Sequence, residues 1–324
     1  MSLTPDQRYY MKLKALTYLY EDGLTQTEIA GKLKISRVTL AKLLEEAREE
    51  GMIKFEIIDV RGRMKIVQLE KQMCETFGLR DIRLVDCSHA DEETCSRKIA
   101  GEASAYVAQV LASGMKIGLT WGRTLNEMIS SLTPDPQIHS LLVYTLVGGA
   151  SMSSNFQPNV LAQRFINKYD GQSVVITAPF ICQYESLCRE IKKEPAIAEI
   201  LAASHDLDLT LVGIGEEPQD GADHLSDYPF GPDTIQELVR AHAVGDICGN
   251  FFDIHGQLCE TALKDRIVSI DIRDLPSHRC VIGMGGGAKK TNSILGALNG
   301  HYLHVLITDV QTAEAVLAKA NALS

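Results

Sequence analysis

Residues 25–48, TQTEIAGKLKISRVTLAKLLEEAR, decide the fold of the N-terminal part of the chain. Thr25 is a candidate N-cap with Glu28 three residues later, and this spacing predicts a capping box at the start of a short helix. Lys34-Ile35 fits a tight turn, and Ser36 is the candidate N-cap of a second helix. Two helices joined in this way form a helix-turn-helix, whose second helix enters the major groove of DNA.

The residues around this motif extend the prediction. Helical spacing predicts a further helix at 5–20, and alternation at 52–58 predicts a strand of a wing hairpin. The charged segment 59–65 is the predicted linker. The expected organisation is therefore a winged helix-turn-helix DNA-binding domain at 1–58 and a second domain at 66–324.

The start of the second helix carries the candidate DNA contacts. Arg37 suits a bidentate contact to guanine, Thr39 a phosphate or a thymine methyl group, and Gln26 a phosphate. The predicted DNA-binding residues are Gln26, Ser36, Arg37, Val38, Thr39 and Lys42. Residues 29–48 hold five basic and two acidic side chains, which favours DNA binding over a helical bundle without that role.

Charge and composition limit the class of protein. Residues 1–65 hold 12 Lys or Arg and 10 Asp or Glu, whereas the rest hold 20 and 32, as expected for a nucleic-acid-binding head on an acidic body. No apolar run predicts a membrane span or a signal peptide, so we expect a cytoplasmic protein. The eight cysteines include no C-x-x-C pair, which predicts free thiols rather than disulfides or a zinc site.

Strands and helices alternate through the second domain, which predicts an α/β fold with a Rossmann-like, mainly parallel sheet. The strand candidates lie at 82–85, 116–120, 141–147, 173–177, 207–214, 249–253, 280–284 and 303–308. The helical patterns lie at 64–77, 92–112, 123–132, 155–169, 184–203, 233–241, 288–298 and 310–323.

Three glycine-bearing segments follow predicted strands: 118-GLTWGRTL-125, 146-LVGGAS-151 and 283-GMGGGAKKT-291. Helix N-termini bind phosphate, and loops at the carboxyl ends of parallel strands converge on one ligand. Each loop alone has a second interpretation as a tight turn. The spacing matches neither a Walker A motif nor a dinucleotide fingerprint, so we expect a small anion or polyol and no nucleotide cofactor. Asp246, between apolar residues, is either an acceptor for sugar hydroxyls or a capping carboxylate.

The order of motifs resembles the SorC family of bacterial sugar-operon regulators almost from end to end. The matching stretches are 20–30, Thr120–Arg123, Val212–Gly215, His242–Cys248 with Phe252-Asp253, Ile294–Leu298 and Ile307–Asp309. The resemblance implies a winged helix-turn-helix joined to an effector domain similar to sugar-phosphate isomerases, a homotetramer, and ligands that are usually sugar phosphates.

Carried over residue by residue, the resemblance implies an effector site. Its phosphate contacts would be Thr120, Gly122, Arg123, Thr124, Gly286, Gly287 and Lys290, and its sugar contacts Asp246 and Cys248. The second glycine segment adds Gly148 and Gly149 to the predicted effector-binding set. A free sugar or polyol remains an alternative to a sugar phosphate.

The expected function is a DNA-binding transcriptional regulator of a carbohydrate-utilisation operon, with operator affinity controlled by the bound sugar or sugar phosphate. A constitutive DNA-binding regulator and an isomerase-like enzyme are the alternatives. Isomerisation needs a placed general base, but His139, His205 and His224 lie in predicted loops without a matching carboxylate motif. We therefore expect no catalytic residue, cofactor or metal, and the partners are double-stranded operator DNA and the sugar effector.

Overall fold

The computed structural model describes residues 4–56, 58–149, 156–219 and 230–323. The chain divides into two compact units, Met1–Gly62 and Arg63–Ser324. Across the described residues, none of the helices combines the length and the apolar character needed to cross a membrane.

The first unit is built from three helices: α1 (Pro5–Tyr20), α2 (Gln26–Leu33) and α3 (Arg37–Glu49). The predicted capping box at Thr25 is present, and Lys34 ends α2 in the left-handed conformation. A second capping box at Thr4 starts α1, and Ser36 caps α3. The apolar faces of the three helices meet in a small core formed by Ala15, Ile29, Ala30 and Leu40.

The predicted wing strand at 52–58 is wrong, because the described residues of that segment form no strand. A strand needs a neighbour that pairs its backbone groups, and the chain turns at 60–61 and enters a helix at Met64 instead of returning. The segment is held by side chains. Phe55 lies edge-on to Tyr20, with 5.2 Å between the ring centroids, and the Arg48 guanidinium lies 5.8 Å from the Phe55 ring.

The second unit alternates strands with helices. Its strands are β1 (Asp81–Val85), β2 (Lys116–Leu119), β3 (Leu141–Thr145), β4 (Gly171–Val174), β5 (Leu209–Gly213), β6 (Gly245–Ile247), β7 (Asn250–Phe252), β8 (Val281–Met284) and β9 (Val305–Asp309). Its α-helices are α4 (Met64–Phe77), α5 (Glu92–Val110), α6 (Arg123–Ser131), α7 (Pro158–Ile166), α8 (Glu185–Lys193), α9 (Pro195–Ala203), α10 (Pro232–Arg240), α11 (Thr291–Asn299) and α12 (Val310–Leu323).

Seven strands form one sheet in the order β1-β9-β8-β5-β2-β3-β4, and every pairing in it is parallel. This confirms the expected α/β class with a parallel sheet. The helices contact one another in two sets: α12 contacts α4 and α11, and α6 contacts α5 and α7, as expected when helices cover both faces. All five residues of β9 are buried for this reason.

Two local predictions were wrong. The helical pattern at 184–203 is two helices, because Pro195 lacks an N–H and disfavours the helical conformation at Glu194. The strand β6 was missed: it pairs antiparallel with β7 in a hairpin outside the main sheet. Cys248 and Gly249, with φ of 56° and 75°, form its two-residue turn.

Candidate functional site

The order in which the chain adds strands to the sheet reverses between β2 and β5. From β2 the chain moves outward through β3 to β4, and from β5 it continues on the other side through β8 to β9. Ligands of open parallel sheets bind beyond the carboxyl ends of the strands at such a point. A cavity of about 920 Å³ lies there, lined by residues that follow β2, β5, β8 and β9 and by the start of α5.

Nine of the eleven predicted effector-binding residues line this cavity. They are Thr120, Gly122, Arg123, Thr124, Asp246, Cys248, Gly286, Gly287 and Lys290. They come from three separate parts of the sequence, and the sheet brings them to one edge.

Two glycines with the same backbone geometry stand at helix starts in the cavity wall. Gly122 precedes α6 with φ 126° and ψ 157°, and Gly287 precedes the 3-10 turn Ala288–Lys290 with φ 94° and ψ 153°. This region of conformational space is open only to glycine. A Cβ at either position would meet no atom within 4 Å, so the space beside both helix starts is open. Neither start has a side-chain cap, and the N–H groups of the first turn of α6 are available to a ligand.

Asp309, which was not predicted from the sequence as a site residue, fixes the glycine loop 283–291. Its Oδ2 accepts the N–H of Gly287 at 2.9 Å, and its Oδ1 accepts the N–H of Thr312 at 2.8 Å. The Thr312 hydroxyl also accepts from the N–H of Gly287, at 2.8 Å. The carboxylate therefore joins the end of β9, the loop after β8 and the start of α12. An Asp that ends a strand, three residues before a Thr in a helical pattern, is the signal that was available.

The three positive side chains of the cavity each lie against an oxygen. Arg123 Nη2 lies 3.9 Å from Glu216 Oε1, and Lys289 Nζ lies 3.5 Å from Glu92 Oε2. Lys290 Nζ donates to the carbonyl oxygen of Ile214. An anionic oxygen of a ligand could replace the protein oxygen beside each of these positive groups, or could bind the positive group together with that oxygen.

Carboxylates outnumber the positive groups of the cavity. Those in its lining are Asp91, Glu92, Glu93, Glu127, Glu216, Asp246 and Asp309. Glu127 Oε2 accepts from the hydroxyl of Ser96 at 3.0 Å. Such acceptors suit the hydroxyl groups of a polyol or sugar, whereas the glycine loops suit an anion. The acidic start of α5 was not singled out from the sequence, because its place beside the glycine loops depends on the sheet order.

Asp246 accepts a backbone N–H, as the capping interpretation expects, and its role as an acceptor for sugar hydroxyls stays a prediction. It is buried and lines the cavity, and its Oδ2 accepts the N–H of Gly249 at 2.9 Å in the hairpin turn. Its carbonyl accepts from the N–H of Gly215 at 2.9 Å, which ties the hairpin to the end of β5. Burial, and then the nearby charge of Asp246, raise the pKa of Cys248 well above its usual value, so this wall presents a neutral thiol.

Thr120 lines the cavity but uses its hydroxyl within the protein. Its Oγ1 accepts the N–H of Gly213 at 3.3 Å and donates to the carbonyl of Trp121 at 3.3 Å. The first of these bonds joins the ends of β2 and β5, so Thr120 fixes the two strand ends beside the cavity.

Gly148 and Gly149 do not line the cavity with the other predicted residues, which corrects their placement in one site. The N–H of Gly149 donates to the carbonyl of Ala178 at 2.8 Å, and Gly149 in turn accepts from Phe180 at 2.8 Å. A Cβ at Gly148 would lie 2.8 Å from Pro179. These glycines permit close approach of backbone, and Gly149 lines a separate cavity of about 610 Å³. Ala150 and Ser151 of this segment lie outside the described residues.

The prediction that all cysteines are free thiols is wrong for one pair. Cys87 and Cys95 form a disulfide, whereas the other six cysteines are free. Cys87 follows β1 and Cys95 lies in the first turn of α5, and both line the cavity. The pairing could not be anticipated from a C-x-x-C search, because the two cysteines are eight positions apart.

In the first unit the six predicted DNA contacts are all exposed: Gln26, Ser36, Arg37, Val38, Thr39 and Lys42. Val38 is an aliphatic side chain with 80% exposure. Ser36 is also a structural residue, since its Oγ accepts the N–H of Thr39 at 3.1 Å and lies 2.8 Å from the Thr39 hydroxyl. Leu40 and Leu43, on the opposite face of α3, are buried.

Ion pairs hold α1 against the C-terminal half of α3. Arg8 contacts both carboxylate oxygens of Glu46, and Lys12 lies 3.3 Å from Glu46 and 2.5 Å from Glu50. The hydrogen bonds from Arg8 and then Lys12 lower the pKa of Glu46 to about 2. Arg8 and Lys12 of α1 are thus paired with carboxylates at the C-terminal end of α3, whereas the N-terminal end of α3 carries Arg37 and Lys42.

Known proteins share this chain's sequence and fold. The Sugar-bind family model, described as a "Putative sugar-binding domain", matches residues 63–318. The sorbitol operon regulator of Klebsiella pneumoniae is 30% identical over 98% of this chain and 100% of that protein. The deoxyribonucleoside regulator of Bacillus subtilis is 26% identical over 96% of this chain and 98% of that protein.

The crystal structure of the full-length sorbitol operon regulator SorC from Klebsiella pneumoniae has a TM-score of 0.73 at 28% identity, covering 95% of this chain and 98% of that one. These relatives are named as regulators and not as enzymes, so the isomerase alternative is not supported. The chain belongs to the SorC family of sugar-operon transcription regulators.

Proposed function

We propose that this regulator binds operator DNA through α3 and that a sugar or sugar phosphate in the 920 Å³ cavity controls its operator affinity. The observation that carries the proposal is the pair of glycine-started turns at Gly122 and Gly287, which open into one cavity together with Lys290.

The effector would lie with its anionic group at the glycine turns and its hydroxyl groups toward the carboxylates. Free N–H groups and the positive end of α6 stabilise a phosphate at Gly122, and Lys290 adds a positive charge beside the second turn. Asp246 and Glu127 supply acceptors for hydroxyl groups. The relatives named for sorbitol and deoxyribonucleosides support a ligand of this carbohydrate class.

The DNA-binding end would be the helix-turn-helix of α2 and α3, without a wing strand at 52–58. In this arrangement Arg37, Val38 and Thr39 reach base edges, and Gln26 and Lys42 contact phosphates. The proposed domain boundaries are 1–58 and 66–324 with the linker at 59–65. We further propose a cytoplasmic homotetramer, as the family resemblance implies, in which a pair of heads would match the two half-sites of a palindromic operator.

The effector would act by shifting a population of two conformations. A ligand moves such an equilibrium only by its difference in affinity for the two states. The 118–125 and 283–291 loops leave different strands and meet at the cavity, so a ligand that bridges them favours the state in which they are closer.

A thermal-shift screen of the full chain with ketoses, polyols and their phosphates tests the ligand site, because a ligand that binds only the native state raises its stability. Each compound that stabilises the protein is then titrated into operator-bound protein, and the operator affinity is measured to test control of DNA binding. A compound that stabilises the protein and changes operator affinity supports the proposal. If every stabilising compound leaves operator affinity unchanged, the protein is a constitutive DNA-binding regulator instead.

A further inference from the structure

The disulfide between Cys87 and Cys95 lies in the wall of the cavity. The two side chains are 9% and 8% exposed, and their Cα atoms are 5.5 Å apart. Both cysteines line the cavity, so a change in their bonding lies next to the space that a ligand would fill. None of the six free cysteines except Cys248 shares this position.

The disulfide closes a short loop that ends at the acidic start of α5. Between its two ends lie Asp91, which caps α5 by accepting the N–H of Thr94 at 2.7 Å, and Glu92. Glu92 Oε2 lies 3.5 Å from Lys289 Nζ, which belongs to the glycine loop 283–291. Lys98 Nζ donates to the carbonyl of Asp86 at 2.7 Å, which fastens the first end of the loop to α5. The disulfide therefore restrains the segment that positions a carboxylate against a positive group of the effector site.

We propose that Cys87 and Cys95 form a reversible redox site that adjusts the effector cavity, an inference that rests on the proposed effector function of that cavity. The disulfide form fixes residues 88–91 and the first turn of α5, which begins at Glu92, and keeps Glu92 beside Lys289, where the carboxylate competes with an anionic ligand. The dithiol form releases this loop, and Lys289 becomes more available. Oxidation thus lowers the affinity for anionic effectors.

The oxidant is a low-molecular-weight disulfide of the glutathione class. The thiolate of one cysteine attacks a sulfur atom of this disulfide, forms a mixed disulfide and releases one small thiolate. The thiolate of the second cysteine attacks the protein sulfur of the mixed disulfide and releases the second small thiolate. Two electrons pass from the cysteines to the oxidant, and the two protons of the cysteines pass by way of solvent to the released thiolates.

Cys182 and Cys188 provide an internal comparison. They are buried together in a separate small cluster with Ile176, Ile197 and Val268 and do not line the cavity. Burial raises the pKa of Cys188 to about 11, which leaves little thiolate for exchange. A Cys182→Ser/Cys188→Ser variant removes the same number of thiols without touching the effector site.

The first experiment equilibrates the full chain in glutathione buffers of graded ratio, traps free thiols by alkylation and maps the products by mass spectrometry. We expect Cys87 and Cys95 to pass together from alkylated to disulfide-linked as the buffer becomes oxidising, while Cys182 and Cys188 remain thiols. If Cys87 and Cys95 stay alkylated in every buffer, or stay linked in every buffer, the pair is not a reversible redox site and the proposal is overturned.

The second experiment measures backbone hydrogen exchange in both redox states. We expect slower exchange at 88–95 and at 285–291 in the oxidised protein, a difference that is lost in Cys87→Ser/Cys95→Ser and retained in Cys182→Ser/Cys188→Ser. With inorganic phosphate as the probe, oxidation should raise the Kd roughly two- to fivefold, the range expected for competition by one surface ion pair. Unchanged exchange at 285–291 overturns the coupling to the cavity. Absence of phosphate binding in both states counts against the proposed effector site, whereas the exchange measurement still decides the redox coupling.

Discussion

The N–H of Gly287 lies 2.9 Å from Oδ2 of Asp309, so the last residue of β9 holds the glycine loop that follows β8. The same carboxylate accepts the N–H of Thr312 at the start of α12. Asp309 is 3% exposed, which means that water does not readily replace these bonds. The shape of one wall of the effector cavity therefore depends on a residue 22 positions away from the loop.

Asp309→Asn should weaken both the fold and the glycine loop. An amide cannot accept from Gly287 and Thr312 on both atoms, because its Nδ2 is a donor. A buried donor or acceptor left without a partner costs about 1–3 kcal/mol. We expect a loss of this size in the free energy of unfolding measured with urea, together with weaker stabilisation by any sugar or phosphate that stabilises the parent protein.

The matched control is Asp135→Asn, which makes the same chemical change at an exposed residue whose Oδ1 accepts the N–H of Gln137 at 2.9 Å. Its effect should stay within about 0.5 kcal/mol. If Asp309→Asn behaves like this control, Asp309 does not hold the loop as described.

The features that were predicted correctly are those decided by nearby residues. A capping box needs only Thr25 and Glu28, three positions apart, and both its hydrogen bonds are present. The prediction of a wing strand at 52–58 failed because it depends on distant residues. A strand requires a partner strand, and local alternation does not reveal whether one is present.

Part of the candidate site could be predicted, because a glycine loop after a strand is recognised within one segment of sequence. The residues that lie beside the loop in space come from distant segments. Gly122 and Gly287 were found from their own segments, but the contact of Glu92 with Lys289 joins residues 197 positions apart. The sheet order that places β9 between β1 and β8 creates this contact, and no pattern within either segment encodes it. Gly148 and Gly149 show that the same glycine pattern also serves close packing, here against 178–180.

Arg37→Ala should reduce specific operator binding by about 1–3 kcal/mol and relax the base preference at one position of each half-site. Arg37 is exposed at the first turn of α3, so its removal should leave the core of the head intact. Binding to operator variants is measured by fluorescence anisotropy at a fixed salt concentration. Lys71→Ala, which removes one positive charge from a 76% exposed side chain on α4, is the control. Equal weakening on all sequences would identify Arg37 as a phosphate contact instead.

Lys290→Ala should retain operator binding and lose the response to effector. Lys290 Nζ lies in the cavity against the carbonyl of Ile214, far in sequence from the DNA-binding helices. Lys193→Ala is the matched control, because its side chain is 64% exposed on α8, pairs with Glu190 and does not line the cavity. We expect Lys193→Ala to keep the response. A normal response in Lys290→Ala would remove this residue from the effector site.

The buried His278 should make the protein less stable in mild acid. Its Nδ1 lies 2.9 Å from the hydroxyl of Thr210, and its Nε2 is buried with no hydrogen-bond partner among the described residues. Burial, followed by the charge of His205, lowers the pKa of His278 below 6.5. The unfolded chain therefore binds more protons than the folded protein at pH values between the lowered pKa and 6.5, so stability rises with pH through this window and is lost as the pH falls below about 6.5.

The measurement is the free energy of unfolding in urea at a series of pH values from about 5 to 8, a range that brackets the histidine pKa. His278→Gln keeps a polar group beside Thr210 but cannot titrate, so its stability should fall less steeply in acid. Part of the slope should remain, because burial and then Arg80 also lower the pKa of His304. His139→Gln, at an exposed position, should leave the profile unchanged. An identical acid slope in His278→Gln and the parent protein would show that the buried imidazole does not govern this loss of stability.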